Sequence, residues 1–195
     1  MKIRLLFILL VLCTALGANT VDSLYAVSVD TTSIAGQAGD IWFVLSSPDV
    51  PPLAFADVFN VTLPDGTLNA VPAVNLSTSA TQLLDYADMP AVFGSALYFR
   101  LDLLAQAVTY PLANGATFSM YLYNPDGAVL INSENGGGPI LTIDLTDTGN
   151  FVAAPFNSSI IATAVPEPGF YGLTAFALGA LFFLRRRRCG NRASN

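Results

Sequence analysis

Apolar and polar positions alternate with a period of two through most of the middle of this chain. That is the period of a strand with one buried face. Leu24 to Asp30 places Tyr25, Val27 and Val29 on one side. Ala96 to Leu104 is the clearest case, with Leu97, Phe99, Leu101 and Leu103 facing one way and Tyr98, Arg100 and Asp102 the other. Thr117 to Tyr123 turns Phe118, Met120 and Leu122 inward and leaves Tyr121 and Tyr123 outward. Ile140 to Thr146 turns Leu141, Ile143 and Leu145 inward, with Thr142, Asp144 and Thr146 outside. Phe55 to Leu63 reads with Phe59, Val61 and Leu63 on one face, and Ile41 to Leu45 (IWFVL) is unbroken apolar, the pattern of a strand buried on both faces. Phe151 to Ala154 and Ser159 to Thr163 supply the last strands.

Turn chemistry separates these runs. Pro64-Asp65-Gly66-Thr67 joins a residue with preset φ to one that accepts positive φ, and Asn124-Pro125-Asp126-Gly127 closes a hairpin onto Ala128 to Asn132. One short helical turn is expected around Thr78 to Tyr86, capped by Ser79. Gly136-Gly137-Gly138 is a loop without the lysine or following helix of a phosphate cradle. About eight or nine short strands result. The fold class expected is all-β, an antiparallel β-sandwich or jelly roll spanning residues 19–164, enough chain for one core.

The two ends break the alternation. Residues 1–18 have the build of a signal peptide: Lys2 and Arg4, an apolar run from Leu5 to Leu12, then Ala15-Leu16-Gly17-Ala18. At the other end, residues 165–195 run from Val165-Pro166-Glu167-Pro168 through an uncharged stretch, Gly169 to Leu184, to Arg185, Arg186, Arg187 and Arg188. Pro166 and Pro168 keep the entry extended. Phe170 to Leu184 is fifteen residues. As a transmembrane helix it measures about 22 Å, short of a hydrocarbon core of about 30 Å. Basic residues stay on the cytoplasmic side, so the arginines read as a stop-transfer signal with the domain outside.

This carboxyl end closely resembles the PEP-CTERM sorting signal of Gram-negative and related bacteria, on Val165, Pro166, Glu167, Pro168, Gly169, the short apolar helix and the four arginines. The resemblance implies recognition by exosortase, a membrane-embedded cysteine transpeptidase-like enzyme. Exosortase would remove the tail from an inner-membrane-anchored precursor and pass the domain to the cell envelope or extracellular matrix. The tail CGNRASN after the arginines is a departure from the common pattern. Residues 29–36 (VDTTSIAG) and 120–145 also resemble a group of small PEP-CTERM proteins. That resemblance implies a β-rich domain and no particular activity.

Charge and composition narrow the chemistry. Residues 19–164 hold twelve Asp and one Glu against a single base, Arg100, for a net charge of −12. Such a surface repels phosphate, so nucleic acid is not an expected partner. There is no His, and Cys13 and Cys189 both lie in the terminal segments. Ser-His-Asp and Cys-His catalysis and Cys- or His-ligated metals are excluded from the domain. No catalytic residue or cofactor is expected. Calcium has only weak candidates in Asp144 and Asp147, with Asn150 and the Asn124–Asp126 turn nearby, where turn capping is the simpler reading. Carboxylate pairs such as Asp85 with Asp88, or Asp144 with Asp147, leave a hydrolase as the least favoured reading. Tyr98, Tyr121 and Tyr123 would form a stripe for glycan contact if their two strands pair. The expected role is a structural or adhesive surface protein, not an enzyme. The alternative is a carbohydrate-binding module with exopolysaccharide as its partner.

Overall fold

The structure is a computed structural model that describes residues 20–47, 54–79, 81–106, 115–133, 136–146 and 150–165. The signal segment and the Gly169–Leu184 helix lie outside them. The described residues up to Ala164 belong to one compact unit.

The described residues contain eleven strands and no α-helix. They are β1 (Thr20–Asp30), β2 (Ala38–Ser46), β3 (Ala54–Thr62), β4 (Thr67–Leu68), β5 (Ala73–Thr78), β6 (Leu84–Val92), β7 (Ala96–Gln106), β8 (Thr117–Tyr123), β9 (Leu141–Leu145), β10 (Phe151–Pro155) and β11 (Ile160–Val165). A single 3-10 turn, Thr32–Ile34, follows β1. The strands build a five-stranded sheet, β11-β1-β7-β3-β5, and a six-stranded sheet, β10-β9-β8-β2-β6-β4. The registered pairs are antiparallel, and those of β1 with β7, β2 with β6 and β8, and β3 with β7 join strands far apart in the chain.

One hydrophobic cluster draws on both sheets. From the five-stranded sheet come Tyr25, Val27, Val29, Leu97, Phe99, Leu101 and Leu103, and from the six-stranded sheet Ile41, Phe43, Leu45, Phe118, Met120 and Leu122. The Phe43 ring meets Phe99 edge-on at 5.3 Å across the layers and lies 5.9 Å from Phe118 within its own sheet. Two hydrogen bonds tie the sheets near their margins. The Tyr25 hydroxyl on β1 donates to the Phe151 carbonyl on β10 at 2.9 Å, and the Ser77 amide on β5 donates to Asp85 Oδ2 on β6 at 2.8 Å.

The inward sets expected for the strands at Leu24, Ala96, Thr117 and Ile140 are buried, and Thr142, expected outside, is buried with them. Four further local expectations are corrected. Ile41 to Leu45 is buried on one face only, because its outer face carries no second layer among the described residues; Trp42 is 37% exposed there. Phe59 points outward, because β3 changes register between Phe59 and Thr62 and Asn60 adopts φ 55°. The bulge reverses parity, so Ala56 and Val58 are buried before it and Val61 after it. The helical turn at Thr78 to Tyr86 does not form. Ser79 and Gln82 exchange backbone hydrogen bonds in a tight turn, and the chain leaves β5 in one sheet for β6 in the other. Ala128 to Asn132 is not a full strand either, since it meets β8 through one bridge, Tyr123–Val129.

The turn after Leu63 works differently from its sequence pattern. Asp65, at φ 59°, takes the positive angle. Gly66 and Gly94 instead allow backbones to touch: a Cβ on Gly94 would collide with the Pro64 carbonyl, and one on Gly66 with Val92 and Gly94 backbone. The Gly94 carbonyl accepts from the buried Thr31 hydroxyl at 2.8 Å, which pins the corner after β1.

Two predictions follow from these contacts. Gly94→Ala must displace Pro64 backbone, and urea unfolding of the exported protein should show a loss of about 1–3 kcal/mol; a change within about 0.5 kcal/mol would contradict the close approach. The Tyr25 phenol is pushed above its ordinary value by burial. A raised folded pKa gives stability that is whole below about pH 10 and is lost as pH rises through the folded value. Tyr25→Phe should therefore lose about 1 kcal/mol at pH 7 and decline less steeply than the wild type between about pH 9 and 11. Parallel alkaline declines would count against this account of the hydroxyl.

Candidate aromatic binding face

β2 lies between β8 and β6, and its outward residues alternate with the buried Ile41, Phe43 and Leu45. Trp42 is the outward residue at its centre. It stands opposite Tyr121 on β8 and Asp88 on β6, while Asp40 stands opposite Tyr123. The large outward rings meet diagonally between strands and, for Tyr121 and Tyr123, along β8. Trp42 stacks on Tyr86 at 5.9 Å and 17°, meets Tyr123 edge-on at 5.4 Å and 70°, and Tyr123 stacks on Tyr121 at 5.7 Å and 14°. The result is a row across three strands, Tyr86, Trp42, Tyr123 and Tyr121.

Such cross-strand pairs stabilise a sheet, each by about 0.2–1 kcal/mol. Packing alone explains the ring contacts, but it leaves much of the row facing solvent. Tyr86 is 57% exposed and Trp42 is 37% exposed, while Tyr121 and Tyr123 are half-buried. Burial raises the Tyr123 phenol above its ordinary value, with Tyr121 adding to the shift, so at neutral pH its hydroxyl remains a donor. Asp88 is exposed and Asp40 half-buried at the margin of the rings. The face therefore offers fixed aromatic surfaces bordered by hydroxyls and carboxylates. Ring faces carry partial negative charge and attract polarised C–H groups.

The tyrosine stripe expected from sequence is only half present. β7 lies between β1 and β3 in the five-stranded sheet and does not pair with β8. Tyr98 is therefore on the other outer face, and Tyr121 and Tyr123 gain Trp42 and Tyr86 as companions. Tyr86 was hidden by the expected helical turn, and Trp42 by the reading of IWFVL as buried on both faces. The alternation Leu84, Tyr86, Asp88 along β6 was the available signal.

The carboxylates are scattered. Asp144 sits on the outward side of β9, where Oδ1 accepts from the Thr117 hydroxyl at 2.6 Å and Oδ2 from the Thr142 hydroxyl at 3.5 Å. Asp147 lies outside the described residues. The Asn124 side chain accepts from the amides of Asp126 and Ala128, which is turn capping. Asp85 and Asp88 point to opposite faces of β6. Asp22, Asp57 and Asp102 line a shallow depression on the five-stranded sheet with Phe55 and Leu104. Among the described residues no group of three acidic, His or Cys side chains is placed to hold a metal ion.

Of the sorting residues, Val165 ends β11, while Pro166, Glu167, Pro168, Arg185, Arg186, Arg187 and Arg188 lie outside the described residues. Among the described residues no helix is long and apolar enough to cross a membrane. Residues 164–188 match the model of the PEP-CTERM protein-sorting motif. No curated protein and no solved structure matches the chain.

Proposed function

We propose that this chain, which carries the PEP-CTERM sorting motif, is the precursor of an exported surface protein whose β-domain binds neutral polysaccharide on its aromatic row. The observation that carries the binding half is the solvent-facing run of four rings in successive contact, two pairs stacked and the pair between them edge-on, on a strand scaffold. A rigid sheet holds the rings without ordering any loop, so little conformational entropy is lost on binding. Pyranose rings present C–H faces that suit such surfaces, and their hydroxyls suit Asp40, Asp88 and the phenols. A net charge of −12 over residues 19–164 keeps the domain soluble and repels polyanions, which favours a neutral glycan. In this reading the domain is a β-sandwich with an adhesive role in the envelope or matrix.

The motif carries the sorting half. PEP-CTERM signals mark exported, membrane-anchored precursors, and exosortase is the partner that reads them. The amino-terminal segment starts export, Arg185 to Arg188 stop it, and tail removal releases the domain.

The binding half is tested with the exported protein and a neutral oligosaccharide series, cello-, xylo- and laminari-hexaose, by isothermal titration. At least one should bind, and Trp42→Ala should weaken it about tenfold or more, with Tyr121→Ala weakening it less. Equal affinities in wild type and Trp42→Ala would sink the reading. The sorting half is tested by mass spectrometry in an exosortase-positive host, where the mature protein should lack the arginines. Replacing Pro166-Glu167-Pro168 by alanines should block processing and leave export intact. Arg185 to Arg188 retained on fully exported wild-type protein would refute it.

A further inference from the structure

The outer face of the five-stranded sheet carries a depression of about 360 Å³, lined among others by Ala26, Ser28, Asn60, Tyr98, Arg100 and Ile161. Its origin lies in side-chain size along the register. Ala26 and Ser28, the small outward residues of β1, stand opposite Arg100 and Tyr98 on β7. Ile161 on β11, 65% exposed, rises on one side, and the β3 bulge brings Asn60 to the other. Asn60 is a non-glycine residue at φ 55°, and bulges of this kind often re-aim side chains beside binding sites. The volume falls within the range of small-ligand clefts, about 300–1,000 Å³.

The charge of this depression is opposite to that of the domain around it. Arg100 is the only base in residues 19–164, against thirteen acids, yet no carboxylate lines the depression; Asp102, two residues farther along β7, and Asp57 line the separate one instead. Tyr98, 44% exposed, gives an aromatic wall, Ile161 an apolar one, and Ser28 and Asn60 supply hydrogen-bonding groups. The geometry points to a second binding site here, for a sugar residue that bears a carboxylate. The guanidinium fork matches a carboxylate in two parallel hydrogen bonds. The Tyr98 ring and the Ile161 side chain suit the pyranose body, and the negative field of the domain disfavours densely charged anions. The site therefore takes an isolated uronic acid unit in an otherwise neutral chain. It lies on the opposite outer face from the aromatic row and does not depend on it.

The test uses the exported protein with glucuronosyl-xylotriose as probe and xylotetraose as its neutral match, by isothermal titration. The acidic oligosaccharide should bind about tenfold or more tightly than the neutral one. Arg100→Gln should abolish that preference with unfolding unchanged, and Tyr98→Ala should weaken the acidic probe severalfold. With the row weakened by Trp42→Ala, the acidic probe should still bind more tightly than the neutral one, and adding Arg100→Gln should remove that difference, which separates this site from the aromatic row. No preference in the wild type, a preference that survives Arg100→Gln or is lost in Trp42→Ala, or displacement of the probe by equimolar inorganic phosphate would each overturn the assignment.

Discussion

The contact between Phe43 and Phe99 fixes which way the two central strands β2 and β7 face. Each ring is almost fully buried and belongs to a different sheet. Because strand side chains alternate, holding Phe43 and Phe99 inward holds Trp42, Tyr98 and Arg100 outward. A slip of one residue in β2 would bury Trp42 and expose Ile41, Phe43 and Leu45, losing several side chains from the core at about 1.5–3 kcal/mol each. The outer faces are thus determined by the core between them. Tyr25 and Asp85 add hydrogen bonds from one sheet to the other beyond the reach of the central rings.

What faces outward differs between the two sheets. On the six-stranded sheet the centre is aromatic, and the acids and hydroxyls lie around it. On the five-stranded sheet the centre is small on β1, with Tyr98 and Arg100 beside it and three aspartates farther along. The first face presents a flat row and the second a depression. That contrast underlies the two binding assignments, a neutral chain laid along rings and a single acidic unit held at an arginine. A domain with binding faces on opposite sides can bridge two polysaccharide strands, which is the mechanical requirement for adhesion in a matrix.

Period-two alternation was enough to read the strands at β1, β7, β8 and β9, because the inward set of each is apolar and unbroken, even though Ser119 and Thr142 on the other side are buried as well. It failed where backbone geometry changes parity without a change in composition. The Asn60 bulge moved Phe59 outward, and no residue type announces that shift beyond an asparagine that tolerates positive φ. IWFVL misled because an exposed tryptophan among buried neighbours is indistinguishable from a doubly buried strand. β6 was missed because Pro90 lies in its run, and proline is tolerated there beside the two-residue edge strand β4. The tyrosine stripe required knowing which strands pair, and pairing between distant strands is not written in local pattern. The sorting motif was legible in full, since its recognition depends on order and composition along the chain.

The motif begins where the last strand ends, so export and folding concern adjoining stretches of one chain. The central claim is that the aromatic row is a glycan surface, and Trp42, the only tryptophan in the sequence, reports on it directly. Its intrinsic fluorescence should be followed while the exported protein is titrated with the neutral hexaoses. A saturable blue shift or change in intensity is the predicted result, because a sugar stacked on the indole displaces water from it. A tryptophan spectrum that stays constant through concentrations at which oligosaccharide is bound would contradict the account.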